Sequence, residues 1–195
     1  MSELAKETVT VLLCGVGGQG TILAADLLAH SAQAAGWQVK LSEVHGMSQR
    51  GGAVTTVVRF GDEVASMVTD PGCADYILAF ETTEALRNLA YLKAGGGLYV
   101  SDTTIKPSTV LTGQAEMPKD VTNSLLEAGA RLVPADRLAG QAGNVKASNV
   151  VMLGVLAKEL GMASPLWEGQ IASRLPNHLA AVNILAFRAG FNFQV

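Results

Sequence analysis

The sequence predicts an α/β fold: a three-layer α/β/α arrangement on a Rossmann-like mixed β-sheet, with a β-hairpin insertion and a helical C-terminal part. Three observations predict it. First, an apolar, β-branched run ends in a glycine-rich turn, followed by a helical pattern and a second strand-like run, the order of a βαβ unit. Second, another strong strand pattern and a Gly-Asp turn signal come next, where a plain doubly wound fold places a helix, so the sheet is mixed. Third, from Ala147 onward the apolar periodicity is helical.

The elements follow in order. Thr8 to Cys14 is apolar and β-branched and reads as a buried strand; Gly15 to Gly20 is a turn. Thr21 to Ala35 carries Ile22, Leu23, Leu27 and Leu28 at helical spacing, and Gly36 stops it. Trp37 to Val44 is the second strand, parallel to the first through a right-handed crossover. Ala53 to Phe60 is a strand, Gly61-Asp62 a turn, and Glu63 to Val68 a return strand. Tyr76 to Phe80 is a buried strand. Thr82 to Lys93 is a helix with Leu86, Leu89 and Ala90 on one face, ended by Gly95-Gly96-Gly97, and Leu98 to Ser101 begins a further strand. Asp102 to Asp120 is irregular; Val121 to Ala128 is a short helix and Arg131 to Pro134 a short strand.

In the helical C-terminal part, Met152, Leu156 and Leu160 form one stripe, and Val151 and Val155 a second, so that helix is buried. Ser164-Pro165 opens the next helix, with Trp167 and Ile171 one turn apart. Asn177 to Ala189 is the last, with Leu179, Val182 and Ala186 inward and Gly190 as its stop. No repeat or linker divides the chain, so residues 1–195 form a single domain.

Composition removes several classes of function. A net charge of −3 without a basic block argues against an electrostatic grip on nucleic acid. Aromatic residues at 5% do not make a base-stacking platform. Charged residues at only 16% suit a subunit that buries surface against a partner. The N-terminus lacks a signal-peptide pattern and no apolar run reaches membrane-spanning length, so a cytoplasmic protein is expected. Cys14 and Cys73 are the two cysteines, too few for a four-thiolate cluster or zinc site.

Two motifs carry candidate chemistry. Gly15-Val16-Gly17-Gly18-Gln19-Gly20 matches G-x-G-x-x-G between a strand and a helix, where backbone N–H groups and the helix N-terminus favour an anion. Glu43 closes the next strand roughly where a ribose-binding acid belongs, so a self-contained NAD- or FAD-binding oxidoreductase is one reading. The bland alternative is that the glycines serve a tight turn and close packing. The second motif is Glu43-Val44-His45-Gly46-Met47-Ser48-Gln49-Arg50-Gly51-Gly52. His45 titrates near neutrality, Arg50 is a fork donor for carboxylate or phosphate, and the glycines let the backbone come close. Its bland reading is a structural histidine and an Arg–Glu pair. His30 and His178 read as surface or packing residues, and no spacing suggests a metal site.

Together, the glycine turn and the Ser42-to-Gly52 segment resemble the gamma-type domain of the 2-oxoacid:ferredoxin oxidoreductases. The resemblance covers nearly the whole chain, including Gly143-Asn144 and the Asn149-to-Leu160 segment. It is nearest to the indolepyruvate branch, in which this domain is the beta subunit. The pyruvate and 2-oxoglutarate branches usually carry a Gly-Pro-Glu type sequence where this chain has His45-Gly46-Met47-Ser48-Gln49. A gamma subunit of either branch is the alternative within the family.

The resemblance implies oxidative decarboxylation of a 2-oxoacid, here an arylpyruvate, to the aryl-acetyl-CoA, with ferredoxin as acceptor. Gly61-Asp62 leads into Glu63, and no Gly-Asp-Gly stretch with a following Asn marks a thiamine diphosphate site. Thiamine diphosphate and iron–sulfur clusters are therefore expected on a large partner subunit, with ferredoxin reached through the complex and this chain inactive alone. In isolation the chain is a monomer or a homodimer. Glu43, His45 and Arg50 are the candidate catalytic residues. Gly15, Gly17, Gly18, Gln19, Gly20, Gln49, Gly51 and Gly52 are the candidate cofactor-binding residues. By analogy, Arg50 and the Gly17-to-Gly20 backbone contact an anionic group, coenzyme A included, while His45 and Gln49 position the large subunit. A non-catalytic scaffold is the reading outside enzymology.

Overall fold

The computed structural model describes residues 7–45 and 52–194. Six strands form one sheet: β1 (Val9–Val16), β2 (Gln38–His45), β3 (Ala53–Gly61), β4 (Ala74–Ala79), β5 (Leu92–Ser101) and β6 (Arg131–Val133). Their order across the sheet is β2-β3-β1-β4-β5-β6. β1, β4, β5 and β6 are parallel neighbours, while β3 is antiparallel to both β1 and β2. β1 and β2 therefore run in the same direction, as the βαβ pattern predicts, but β3 is inserted between them. β1 is buried from end to end and apolar but for Thr10, as suits a central strand covered on both faces.

Among the described residues, eight α-helices complete the fold: α1 (Thr21–Ala34), α2 (Thr82–Asn88), α3 (Ser108–Leu111), α4 (Val121–Glu127), α5 (Ala135–Gln141), α6 (Ser148–Glu159), α7 (Ser164–Arg174) and α8 (Asn177–Phe191). Alternation along the strands separates two cores. Val11, Leu13, Val58 and Leu78 share one with α1, α6, α7 and α8. Leu12, Cys14, Ile77 and Leu98 share the other with α2 and α4. The predicted three-layer mixed α/β fold is what forms. α6 is buried from Asn149 to Ala157, as its two apolar stripes predict.

Four expectations are corrected. Residues 63–68 are not a return strand; the hairpin is β2–β3, in register from Gln38 opposite Gly61 to His45 opposite Val54. The carbonyls of residues 65, 66 and 68 are taken by side-chain cations instead of a ladder. Lys40 Nζ donates to Ala65 O (2.9 Å), and Arg59 Nη1 to Ser66 O (2.7 Å) and Val68 O (3.1 Å). The helix from Thr82 stops at Asn88, whose side-chain amide donates to Glu84 O, and a 3₁₀ turn over Leu89–Tyr91 leads into β5. Gly95-Gly96-Gly97 thus lies inside β5; a Cβ on Gly97 would sit 2.8 Å from the Tyr76 ring.

Gly190 does not end the last helix but lies within α8. There a Cβ would fall 1.9 Å from Val151 O, and one on Gly154 would fall 2.1 Å from Phe187 O. The two glycines let the backbones of α6 and α8 touch. Finally, α5 was not anticipated. It is short and buries only Ala135 and Ala139, too little apolar periodicity to register.

Candidate functional site

The glycine turn leaves β1 at its carboxyl end, between β3 on one side and β4 on the other. α1 then leaves toward β2 on one face of the sheet, while α2 leads from β4 to β5 on the other. This is a topological switch point, where open α/β sheets form their crevice. Val16 pairs with Ala53, and Gly17 N donates to Gly52 O (2.8 Å). The end of the Glu43-to-Gly52 segment therefore lies directly beside the glycine turn.

Each described residue of the turn has a visible task. Gln19 Oε1 accepts from Val16 N (2.8 Å) and Gln19 Nε2 donates to Phe80 O (2.8 Å). Its amide staples the turn to itself and to the end of β4, so both polar ends are engaged within the chain. Gly15 lies under this staple: a Cβ there would meet Gln19 Oε1 at 2.7 Å. Gly18 has φ +104° and would point a Cβ into open space. Gly20 has φ +77°, and its Cβ would strike Asn149 Nδ2 at 2.4 Å.

Asn149, in the first turn of α6, donates from Nδ2 to Gly20 O (3.1 Å). The amino ends of α1 and α6 therefore meet at the turn. Neither has a side-chain cap, and neither carries an acid in its first turn. Both ends present positive potential unopposed by a local carboxylate. Thr21, the first residue of α1, is buried, and its hydroxyl has no hydrogen-bond partner.

The second motif is only partly described. Glu43 is exposed near the end of β2, opposite Thr56 of β3, which in turn is opposite Leu13 of β1. Glu43 is thus two strand spacings from β1, about 10 Å. The ribose-binding acid of a dinucleotide fold sits on the strand next to the glycine turn, so this placement counts against the NAD or FAD reading. His45 is the last residue of β2. Gln49, Arg50 and Gly51 lie outside the described residues.

Sequence reading missed polar groups behind the turn. Glu81, buried at the end of β4, caps α2 by accepting from Thr83 N (3.0 Å) and Glu84 N. Glutamate is not among the residues that usually cap a helix start, so no sequence signal marked this cap. Burial raises the Glu84 carboxyl above its ordinary range. Burial, with Glu84 and Glu81 adding to it, raises the Cys14 thiol well above its own, so Cys14 stays an un-ionised core residue. Asn149 carried no local signal, since only the fold brings it to Gly20.

A groove of about 630 Å³ opens elsewhere, lined by Asp75, Tyr76, Lys93, Tyr99, Arg131 and Glu159. It lies toward the amino ends of the parallel strands, and its charges pair with one another: Lys93 with Asp75 (2.8 Å) and Arg131 with Glu159 (3.2 Å). Nothing in it calls for a ligand. Among the described residues, no group of three or more His, Cys, Asp or Glu could hold a metal ion, and no helix is long and apolar enough to cross a membrane.

Residues 10–193 match the family described as pyruvate ferredoxin/flavodoxin oxidoreductase. The chain is 41% identical to indolepyruvate oxidoreductase subunit IorB of Thermococcus kodakarensis, covering 92% of this chain and 93% of that one. Identity to the same subunit of Pyrococcus horikoshii is 39%, with 92% and 93% covered. It falls to 31% against 2-oxoglutarate synthase subunit KorC of Methanothermobacter marburgensis, with 92% and 93% covered. Among solved structures, the gamma subunit of a keto/oxoacid ferredoxin oxidoreductase from Geobacter sulfurreducens aligns with a TM-score of 0.69 at 26% identity, covering 94% and 96% of the two chains. A 2-oxoglutarate:ferredoxin oxidoreductase from Magnetococcus marinus, with 2-oxoglutarate, coenzyme A and succinyl-CoA bound, shares the fold: TM-score 0.73 at 20% identity, over 95% of this chain and 31% of that one.

Proposed function

The chain belongs to the pyruvate ferredoxin/flavodoxin oxidoreductase family, and on that premise we propose that it is the small, cofactor-free subunit of a cytoplasmic indolepyruvate-type enzyme. Acting as a single domain over residues 1–195, it completes an active site at an interface with a large subunit. The site lies at the carboxyl end of the sheet, where the glycine turn and the Glu43-to-Gly52 segment face that subunit. The reaction is oxidative decarboxylation of an arylpyruvate to the aryl-acetyl-CoA. Higher identity to the indolepyruvate subunits than to the 2-oxoglutarate subunit supports the arylpyruvate branch.

Thiamine diphosphate and iron–sulfur clusters supply the decarboxylation and electron chemistry, and this chain's residues do not fit them. Cys14 is buried in the core and Cys73 exposed, and two thiols do not ligate a four-thiolate cluster. Both cofactors are assigned to the large subunit, from which electrons pass to ferredoxin. What this chain offers instead is the amino end of α1 and the remainder of the turn's backbone, the N–H groups of Gly17 and Gln19 being taken by Gly52 O and Val16 O. The observation that carries the proposal is the meeting of α1 and α6 at Gly20, with Gly18 open beside it and Gly17 N bonded to Gly52 O. Such a cradle takes an anionic group, and the phosphates of coenzyme A are the fitting one. Arg50 supplies a guanidinium to the same group, and His45 and Gln49 orient the large subunit.

Arg50→Ala in the co-expressed complex tests the assignment. Turnover should fall by about two orders of magnitude, as for loss of a positioned charged donor, while size-exclusion chromatography still shows the assembled complex. A complex that falls apart makes the segment a docking surface and favours the scaffold reading. Full turnover removes Arg50 from the site.

A further inference from the structure

We propose that Asn149 is a positioning residue for a phosphate-bearing ligand at the glycine turn, so that α6 builds the cradle together with α1. The proposal rests on reading the turn as an anion site. Asn149 is 4% exposed. Its Oδ1 accepts from Val150 N (3.0 Å), which sets the amide so that Nδ2 faces Gly20 O at 3.1 Å. Gly20 O also accepts from Ala24 N (3.0 Å). That carbonyl is thus held by two donors, one from each helix.

The consequence follows from peptide geometry. In a trans peptide the N–H points opposite to the carbonyl of the same plane. With Gly20 O fixed toward α1 and Asn149, the Thr21 N–H is fixed in the opposite sense, out of the amino end of α1. The hydroxyl of the same residue, Thr21, is buried and has no hydrogen-bond partner. Gln19 holds the other side of the turn through Val16 N and Phe80 O. Lys146, exposed on the 3₁₀ turn Val145–Ala147 that leads into α6, adds positive charge at this end. A helix end with backbone N–H groups, a nearby lysine and no acid in the first turn of either helix suits a phosphate, with its many acceptor oxygens, better than a carboxylate.

The reciprocal constraint is visible at Gly20. No side chain fits there while Asn149 is in place, because its first carbon would lie 2.4 Å from the amide nitrogen. Asn149 and Gly20 are therefore an interlocked pair, one residue from each helix.

The test uses the complex of this chain with its cofactor-bearing partner subunit and reads coenzyme A binding by calorimetry, with KM for coenzyme A and for the 2-oxoacid measured separately. Asn149→Asp keeps the acceptor for Val150 N, loses the donor to Gly20 O and adds a negative charge; Asn149→Ala only removes the amide. Both should weaken coenzyme A binding, the Asp variant by about tenfold or more. KM for the 2-oxoacid should stay within about twofold, and thermal unfolding should show both variants folded. Gly18→Val, which fills the open mouth of the turn, serves as the control. If Gly18→Val weakens coenzyme A binding and the folded Asn149 variants do not, the positioning role alone is wrong. If Gly18→Val also leaves it unchanged, the turn is not the anion site and the inference falls with it. A rise confined to the KM of the 2-oxoacid assigns the cradle to a carboxylate and overturns the phosphate assignment.

Discussion

Gln19 shows how a residue inside a recognised motif acts through the backbone. Its amide accepts from Val16 N and donates to Phe80 O, tying the turn of β1 to the end of β4. Gln19→Ala removes both bonds and leaves a part-buried donor and acceptor without partners. Two lost hydrogen bonds of this kind cost about 1–3 kcal/mol. The expected outcome is a chain that still folds, is less stable by that amount in urea titration, and has weaker coenzyme A affinity in the complex. The G-x-G-x-x-G spacing was legible in the sequence and located this turn correctly. The partners were not legible: Phe80 and Asn149 reach it only through β4 and α6, from far along the chain.

At the scale of elements, the α6–α8 crossing is the most exacting contact. Gly190→Ala gains about 1 kcal/mol of helix propensity. It also places a carbon 1.9 Å from the Val151 carbonyl, against backbone that has no rotamer to change. Separating two packed helices costs several kcal/mol, so the clash outweighs propensity. The variant should lose about 3 kcal/mol or more of unfolding free energy, measured by chemical denaturation. The sequence suggested a helix stop here because glycine commonly ends helices; it gave no sign of the crossing that makes glycine necessary inside one. The misplaced return strand has a similar origin. Lys40 and Arg59 pin residues 65–68 by side-chain bonds that strand patterning does not encode.

α7 is clamped by two ion pairs, Arg174 to Asp26 of α1 (2.7 Å) and Arg188 of α8 to Glu168 (2.6 Å). The hydrogen bond from Arg174 lowers the Asp26 carboxyl, and that from Arg188 lowers Glu168. A lowered carboxylate contributes stability that is full above its unfolded value and lost as pH falls through its folded one. The stability difference between the wild type and Asp26→Asn should therefore fall below about pH 5 and vanish toward about pH 2. The Asp26 side chain is 41% exposed, so the difference should stay under about 1 kcal/mol. Denaturation midpoints across that range check it. Glu84, raised by burial, acts in the opposite sense: its penalty is present above its folded value and relieved as pH falls through it.

Over the whole molecule, the α/β class, the mixed sheet and the buried α6 were legible, because each is written in apolar periodicity. The insertion of β3 between β1 and β2 was not, since strand patterns fix faces and not neighbours. That insertion moves Glu43 one strand further from the glycine turn and separates this fold from a dinucleotide-binding one. It also brings Gly52, the last residue of the second motif, against Gly17. In the proposed function this surface is half of a catalytic centre, completed by the large subunit. The direct test is indolepyruvate- and coenzyme A-dependent reduction of a viologen dye by this chain alone, by the large subunit alone and by the two reconstituted together. Activity should appear only on reconstitution; full activity in the large subunit alone would contradict the account.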